Sequence, residues 1–306
     1  MLWNFIIAGD FNMTFKKNEN NPLFGNEQIG TAFDVYVTKT NGKYRLDFSW
    51  RREKSLAVIF SDDGIHWSEP VITLRPDPTT GWEDRLNRNC VLLIDGVWKM
   101  WYTGQARGHS FIGYAESDDG INFVRKCDEP IMIPEFPWEK ESVMNPCVLY
   151  ENGKYRMWYA AGETYEPNVL AYAESDDGIN WKKAKINPIL VAEESNYYEK
   201  DRLGGCQVIK TDDMGYLCFY IGYEDIDTAR ICAAKSENGI TNWVRSPLNP
   251  LVSPEKGAWD GDACYKPSAI WEEELGIWRI WYNGRCGVPE YIGLAEYGER
   301  DLFKKC

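Results

Sequence analysis

The fold of this chain is decided by a nine-residue motif, AESDDGINW at residues 173–181, because the motif recurs. Related copies are FSDDGIHW at residues 60–67 and AESDDGINF at residues 115–123, and a looser copy, KSENGITNW, occupies residues 235–243. The serine of the motif stands at positions 61, 117, 175 and 236, so the intervals are 56, 58 and 61 residues. A period of this length, built from strand-like segments, is typical of a propeller.

Each repeat predicts four short antiparallel strands. In the third repeat, two strand-like segments flank the turn Asn152-Gly153, and the SDDG stretch makes the next hairpin. An Asn-Gly or Asp-Gly pair between two such segments is the strongest short hairpin signal. Four strands in meander order form one propeller blade. The sequence therefore predicts an all-β fold, a five-bladed β-propeller with four-stranded antiparallel blades around a central channel.

No linker divides the chain, so we expect a single domain, residues 1–306, with blades at about 31–80, 81–134, 135–192, 193–254 and 255–306. The fifth repeat is short of its last strand, since Phe303 stands where Trp181 stands in the third. We predict that an N-terminal strand, residues 3–8, completes the last blade and closes the ring. Closure would remove the exposed sheet edges that favour aggregation.

Composition narrows the possible partners. The 306 residues carry a net charge of −13, which argues against nucleic acid or an anionic membrane as the main partner. The first residues lack a basic stretch and a long apolar stretch, so we expect no signal peptide, no membrane span and a cytoplasmic location. The oligomeric state is left open by these features.

The nine cysteines include no C-x-x-C pair. Cys90, Cys147 and Cys206 fall at one position of three successive repeats, where Ser268 stands in another. A small buried residue explains this position, because free cysteine packs as a small hydrophobe. The spacing is wrong for zinc, and we expect no metal and no cofactor.

One position at the start of the inner strands differs from blade to blade. A purely structural position would hold one residue type, so this variety indicates a ligand site at the mouth of the channel. The five residues are Asp34, Arg88, Asn145, Gly204 and Lys266. A neighbouring aromatic–acid pair, in contrast, repeats in four blades and is predicted to be structural: Trp82-Glu83, Trp138-Glu139, Tyr198-Glu199 and Trp259-Asp260.

The chemistry available at such a mouth suits sugars. The chain has two histidines and no P-loop, G-x-S-x-G or dinucleotide motif. Carboxylates, aromatic residues and cations remain, and glycoside hydrolysis needs one carboxyl group as acid and another as base or nucleophile. Trp50 and Trp82 are candidate stacking platforms, and Arg285 is a further candidate cation.

The five repeats, the aspartate that starts the first inner strand, and the pattern I-G-Y-A-E-S-D-D-G-I-N resemble the five-bladed propeller glycosidases. That superfamily includes arabinanases, xylosidases, invertases, levansucrases and mannoside phosphorylases. The resemblance implies that Asp34 is a base or nucleophile. It also implies an Asp-Pro in blade two and an acid in blade three, but Arg88-Asn89-Cys90 and Met144-Asn145-Pro146 stand there.

The missing acid must then come from elsewhere, and the candidates are Glu163, Asp201 and Glu141. Arg88, Asn145 and Lys266 are predicted to bind substrate. A carbohydrate is the expected ligand, and hydrolysis of a glycosidic bond is the leading hypothesis. Two alternatives remain open: a phosphorylase, in which Arg88, Lys266 or Arg285 binds phosphate, and a saccharide-binding propeller without catalysis.

Overall fold

The strands predicted from the repeats form five four-stranded antiparallel sheets in a computed structural model, which describes residues 14–165 and 167–304. The blades are β2-β3-β4-β5, β6-β7-β8-β9, β10-β11-β12-β13, β14-β15-β16-β17 and β18-β19-β20-β1. The strands are β1 (Lys16–Lys17), β2 (Ala32–Thr40), β3 (Lys43–Trp50), β4 (Ser55–Ser61), β5 (Val71–Leu74), β6 (Arg85–Ile94), β7 (Val97–Ala106), β8 (His109–Ser117), β9 (Val124–Arg125), β10 (Ser142–Glu151), β11 (Lys154–Gly162), β12 (Pro167–Ser175), β13 (Lys182–Lys183), β14 (Arg202–Thr211), β15 (Gly215–Tyr223), β16 (Ala229–Ser236), β17 (Val244–Arg245), β18 (Ala263–Glu272), β19 (Ile277–Arg285) and β20 (Glu290–Tyr297).

The first strand of each blade lines the central channel. These strands contact one another in a closed ring, β2 to β6, β6 to β10, β10 to β14, β14 to β18 and β18 to β2. Short 3-10 helices at Arg51–Glu53, Pro78–Thr80 and Pro137–Glu139 lie in the loops. No helix of the described residues is long and apolar enough to cross a membrane. The architecture is the all-β propeller that the repeats predict.

The ring is closed by a strand from the N-terminal side of the chain. Lys16 and Lys17 pair with Glu296 and Ala295 of β20, so β1 supplies the outermost strand of the fifth blade. The strand predicted at residues 3–8 lies outside the described residues.

The recurrent motif joins neighbouring blades. In the third blade, the Gly178 N–H donates to Ser175 Oγ, and Asp177 Oδ1 accepts the amides of Ile179 and Asn180. The Gly178 carbonyl accepts the Trp181 indole of its own motif at 3.0 Å and the Trp101 indole of the second blade at 2.7 Å. The same bond recurs from Trp158 to Gly239 and from Trp281 to Gly64.

The first blade replaces this tryptophan by Asp47, which is paired with Arg45. The Arg45 guanidinium then donates to the Gly120 carbonyl of the second blade at 2.6 Å. A charged residue therefore makes the link that an indole makes elsewhere in the ring.

Each of the last four blades also contains what we term an acid clasp. A fully buried acid accepts a hydrogen bond from a tyrosine hydroxyl of the second strand and pairs with a cation of the outer strand. The clasps are Glu83–Tyr102–Arg125, Glu139–Tyr159–Lys183, Glu199–Tyr220–Arg245 and Asp260–Tyr282–Lys17. The repeated acid after the aromatic residue is therefore structural, as predicted.

The repeated cysteines are buried and link adjacent inner strands. The Val148 amide donates to Cys90 Sγ at 3.2 Å, and the Val208 amide donates to Cys147 Sγ at the same distance. These thiols act as small core residues that also accept a hydrogen bond, which agrees with the prediction for this position.

Candidate active site

The starts of the inner strands are irregular. The ladder between first and second strands shifts register at this point in every blade, for example between Phe33 and Tyr36. Asp34, Asn145 and Lys266 adopt left-handed φ values of 63°, 56° and 53° there. A β-bulge turns an extra residue out of the ladder, and non-glycine residues are held in this region at a cost of about 1–3 kcal/mol.

A cavity of about 110 Å³ lies at this end of the channel. Its polar lining includes three residues from the predicted position, Asp34, Asn145 and Lys266. Two more charged residues, Arg51 and Glu290, also line it. We refer to this cavity as the mouth pocket. In blade four, Gly205 rather than Gly204 lines it, and a Cβ on Gly205 would meet the Asn145 amide at 2.7 Å.

Asp34 is held by groups from three blades. Its amide donates to Asn283 Oδ1 at 2.8 Å, and its Oδ2 accepts the Ser49 hydroxyl at 2.8 Å. Oδ2 also accepts the Arg88 amide at 3.2 Å, and Lys266 Nζ lies 3.0 Å from Oδ1. The carboxylate therefore has a fixed orientation at the pocket wall.

These contacts decide the charge of Asp34. Burial alone would raise its pKa, but the charges of Lys266 and Arg88 and hydrogen bonds from Lys266 and Ser49 outweigh burial and lower the pKa below its usual value. Asp34 is thus ionised at neutral pH. An ionised carboxylate suits a base, a nucleophile or a group that stabilises positive charge, as the resemblance implies.

Arg88 lies beneath the pocket and does not line it. Only 1% of Arg88 is exposed, and its Nη2 donates to the carbonyl oxygens of Cys206 and Pro267 across the channel. The prediction that Arg88 contacts substrate is therefore corrected: its guanidinium is bound to the inner strands of blades four and five, and its charge acts on Asp34.

Two cations meet at one aromatic ring of the pocket. The Arg51 guanidinium lies 4.3 Å from the centre of the Phe33 ring, and Lys266 Nζ lies 4.4 Å from it. Lys266 is paired with Asp34, whereas Arg51 forms no ion pair with a carboxylate of residues 14–165 or 167–304. Arg51 was not among the substrate-binding candidates from the sequence.

Glu290 is the second pocket carboxyl, and the sequence comparison missed it. It begins β20, and its Oε2 is buried without a hydrogen-bond partner in the described part of the chain. The Tyr265 hydroxyl is bonded to Glu290, and burial together with the neighbouring Glu290 side chain raises the pKa of Tyr265 well above its usual value. The sequence does contain a signal for Glu290, because it is an acid at the start of the third strand of its blade. The equivalent positions in other blades hold Ser110, Asn168 and Ala229.

The three predicted acids lie outside the mouth pocket. Glu163 is half exposed between Lys140 and Arg202, and hydrogen bonds from both cations lower its pKa, which is the wrong direction for an acid. Asp201 Oδ2 lies 2.6 Å from Arg202 Nε, and Glu141 is exposed. Each is engaged with a surface cation or with solvent, so we withdraw all three as the proton donor.

The remaining candidates are also placed elsewhere. Trp82 is buried against Tyr102, and its indole donates to the Asp128 carbonyl. The Trp50 indole donates to the Ile29 carbonyl at 2.8 Å, and Arg285 donates to the Asp227 carbonyl at 2.7 Å. None of these three lines the pocket, because each packs within or between blades.

The described residues contain no group of three or more His, Cys, Asp or Glu side chains placed to hold a metal ion. The pocket thus offers two carboxyl groups, Asp34 and Glu290, and two cations, Arg51 and Lys266. The chemistry that its own side chains support is proton transfer and the binding of anions or sugar hydroxyls.

Fold and pocket together define a propeller of the glycoside hydrolase type. A solved structure of a glycoside hydrolase superposes with a TM-score of 0.74 at 16% identity, over 97% of this chain and 95% of that one, so the fold is shared. The family model for the glycosyl hydrolases family 32 N-terminal domain matches residues 35–188, just over half of the 306 residues. The chain belongs to this family.

Two relatives come from Thermoanaerobacter sp. (strain X514). A 1,2-beta-oligomannan phosphorylase is 32% identical over 151 residues, covering 45% of this chain and 48% of the relative. A beta-1,2-mannobiose phosphorylase is 32% identical over 155 residues, covering 45% and 49%. The chain spans about half the length of the curated relatives it matches.

Proposed function

We propose that this protein is a glycoside phosphorylase that cleaves a mannosidic bond with inorganic phosphate. The observation that carries the proposal is Arg51, a pocket cation without a carboxylate partner among the described residues, beside Asp34 and Lys266. The names of the two relatives support both the phosphate and the mannoside.

Arg51 and Lys266 suit a phosphate anion. Charge-assisted hydrogen bonds from a guanidinium to phosphate oxygens are among the strongest in proteins and are frequently bidentate. Both cations line the pocket and lie within 4.5 Å of the centre of the same Phe33 ring, at 4.3 and 4.4 Å. A phosphate bound there would lie near Asp34, so its orientation would be set by repulsion from that carboxylate.

The reaction assigns a role to each pocket carboxyl. A phosphate oxygen attacks the anomeric carbon, the glycosidic carbon–oxygen bond breaks, and the leaving oxygen takes a proton. Glu290 is the proton donor in this scheme, because Lys266 and Arg88 hold Asp34 in its ionised form. Asp34 then stabilises the positive charge that develops at the anomeric carbon. The products are a sugar 1-phosphate and a shortened saccharide.

Hydrolysis is the second candidate, and it rests on the ionised state of Asp34. With water in place of phosphate, Asp34 would act as base and Glu290 as acid, which satisfies the two-carboxyl requirement of glycoside hydrolysis. This was the leading hypothesis from the sequence. The two reactions differ in their dependence on phosphate and in the first sugar product.

The test is cleavage of β-1,2-mannobiose by the full chain with and without inorganic phosphate. Phosphorolysis predicts that cleavage requires phosphate and yields mannose 1-phosphate and mannose in equal amounts. Two mannose molecules at a rate independent of phosphate would establish hydrolysis instead. No cleavage of any β-mannoside under either condition would favour the saccharide-binding alternative.

Arg51→Gln tests the phosphate site directly. We expect its KM for phosphate to rise about tenfold or more, because one charge-assisted contact is lost. The matched control is Arg52→Gln, since Arg52 follows in the same 3-10 helix, is exposed and donates to the Gln28 carbonyl. An equal rise in both variants would remove Arg51 from the phosphate site.

A further inference from the structure

A second hollow, of about 430 Å³, adjoins the mouth pocket. The two share Gln105 and Tyr165 in their lining. The second is lined mainly by the loop between β7 and β8 and by the start of β6. We name it the basic annex after its cations, which are Lys54, Arg85 and Arg107.

The charge of the annex is opposite to that of the protein. The whole chain carries −13, yet Asp84 is the one described carboxylate that lines this hollow. None of Lys54, Arg85 and Arg107 forms an ion pair of 4.0 Å or less with a carboxylate in the two described ranges, although many other cations of the chain do. Cations that outnumber the carboxylates around a hollow focus a positive potential that attracts an anion.

Arg107 occupies a position that does not suit an arginine. The loop Arg107-Gly108 is a two-residue hairpin turn in which both residues have positive φ, 52° and 78°. Turns of this geometry prefer asparagine or aspartate first. The other turns with the same φ pattern follow that rule: Asn41-Gly42, Asp95-Gly96 and Asn152-Gly153. The turn itself therefore does not explain the arginine; its guanidinium packs against Gly81, where a Cβ would lie 3.2 Å from Arg107 Nη2.

The wall between the two hollows is tied in place by hydrogen bonds. Gln105 Nε2 donates to Ser110 Oγ at 2.9 Å and to the Thr164 carbonyl at 3.3 Å. Ser110 Oγ also donates to that carbonyl at 2.8 Å, and the Thr164 hydroxyl donates to the Gly108 carbonyl. Loops of blades two and three are thereby joined, so the annex is formed before a ligand arrives.

Arg85 packs near a residue that the annex shares with the mouth pocket. It is half buried, and its guanidinium lies 5.3 Å from the centre of the Tyr165 ring, which lines both hollows. A saccharide with one ring in the mouth pocket can place its neighbouring ring here, between the tyrosine face and the cations. Aromatic faces and polar cations are the usual elements of such a saccharide contact.

We propose that the basic annex binds a negatively charged substituent, a carboxylate or a phosphate monoester, on the sugar that leaves when the glycosidic bond is cleaved. The inference rests on the proposed function for the identity of the leaving sugar, and it makes the natural substrate an anionic saccharide. Arg85 and Arg107 hold the anion, and Lys54 adds to the potential. The neutral part of the leaving sugar contacts Tyr165.

The experiment measures binding without turnover, by isothermal titration of the full chain with D-mannose, D-mannuronate and D-mannose 6-phosphate. We expect the Kd for D-mannuronate or D-mannose 6-phosphate to be about tenfold lower than the Kd for D-mannose. Two partly exposed arginines should each improve the affinity by a factor of a few. Comparison of the two anionic sugars shows whether the annex prefers a carboxylate or a phosphate monoester. Raising the salt concentration should reduce the preference, since the site is open to solvent.

Arg107→Asn is the decisive variant, because asparagine suits the left-handed turn and therefore keeps its backbone conformation. We expect this variant and Arg85→Gln each to reduce the preference about threefold to fivefold. Arg52→Gln, outside the hollow, should leave it unchanged. Equal affinity for all three sugars in the wild type, or an unchanged preference in both annex variants, would overturn the proposal.

Arg51→Gln separates this inference from the proposed function. If the anion is bound in the annex, this variant keeps the preference for anionic sugars, whatever it does to phosphate-dependent cleavage. Loss of the preference in Arg51→Gln with retention in Arg107→Asn would place the anion in the mouth pocket and contradict the proposal. Because the readout is binding, a failure of phosphorolysis leaves this result intact.

Discussion

Two kinds of buried carboxylate occur in this propeller, and they differ in where their partners come from. Glu83, in an acid clasp, is fully buried and takes its tyrosine and its arginine from its own blade. Asp34 is almost as buried, but its partners come from the first, second and fifth blades and it lines a cavity. Burial and ion pairing are thus common to both carboxylates, whereas partners gathered across the channel beside a cavity distinguish Asp34 as the candidate functional carboxylate.

The largest expected effect on the difference between these two carboxylates comes from a substitution of Asp34. Asp34→Asn keeps the shape of the side chain and removes the charge, so we expect cleavage of β-1,2-mannobiose to fall about 10³-fold or more while the fold persists. Product formation and urea unfolding measured on the same preparation test both parts. Turnover within about tenfold of the wild type would mean that the carboxylate only supports the bulge.

The clasp predicts the opposite pattern. Glu83→Gln leaves Arg125 without its charged partner in a largely buried site, so the free energy of unfolding should fall by about 3–5 kcal/mol. The rate per folded molecule should stay close to that of the wild type. Arg125→Met added to Glu83→Gln should recover part of the stability, because it removes the unpaired charge. A selective loss of activity in folded Glu83→Gln would give the clasp a functional role.

The repeat explains how much of this could be predicted. The motif at residues 173–181 and its copies predicted the blades because each hairpin signal recurs at the same point of the unit. Alignment of the copies also led to Asp34, Asn145 and Lys266, which the bulge of each inner strand brings to one cavity. A position whose residue type differs from blade to blade can be recognised only because the other positions of the repeat are similar in all blades.

Other parts of the pocket depend on geometry that a repeat does not encode. Arg88 shares the bulge position of Asp34, but its long side chain turns into the channel and reaches the Cys206 carbonyl. Glu290 begins a third strand, which was not compared, and Arg51 reaches the pocket by packing on Phe33. Side-chain direction and the packing of neighbouring blades decide these contacts, so the acid was sought at Glu163, Asp201 and Glu141 instead.

The clasp that closes the ring should be weaker than the clasp of the third blade. Lys17 pairs with Asp260 at 2.6 Å and is 20% exposed, whereas Lys183 in the third blade is 4% exposed. We expect Lys17→Met to lower the free energy of unfolding by about 1–2 kcal/mol and Lys183→Met by about 3 kcal/mol. Urea unfolding gives both values. The control is Lys16→Met, since Lys16 is exposed; an equal loss there would mean that the pair does not help close the ring.

The smallest effect concerns the protonation of Asp34. Its pKa is lowered in the folded state, so its ionisation stabilises the fold above the unfolded value of about 3.9, and this contribution is lost as the pH falls through the folded pKa. Activity that needs ionised Asp34 should therefore persist at pH 4. Ser49→Ala removes one hydrogen bond to the carboxylate and should raise its pKa.

The expected result for Ser49→Ala is that the fall of kcat/KM on the acid side begins at a higher pH than in the wild type, because a larger fraction of Asp34 is protonated at any given low pH. The matched control is Ser55→Ala, since the Ser55 hydroxyl bonds to the Glu53 carbonyl and does not contact Asp34. A loss of the same size at all pH values would instead mean that Ser49 acts by positioning the Arg88 backbone, whose amide donates to the Ser49 hydroxyl at 2.9 Å. In that case the second blade, through the Arg88 amide, controls the orientation of Asp34 and not its charge.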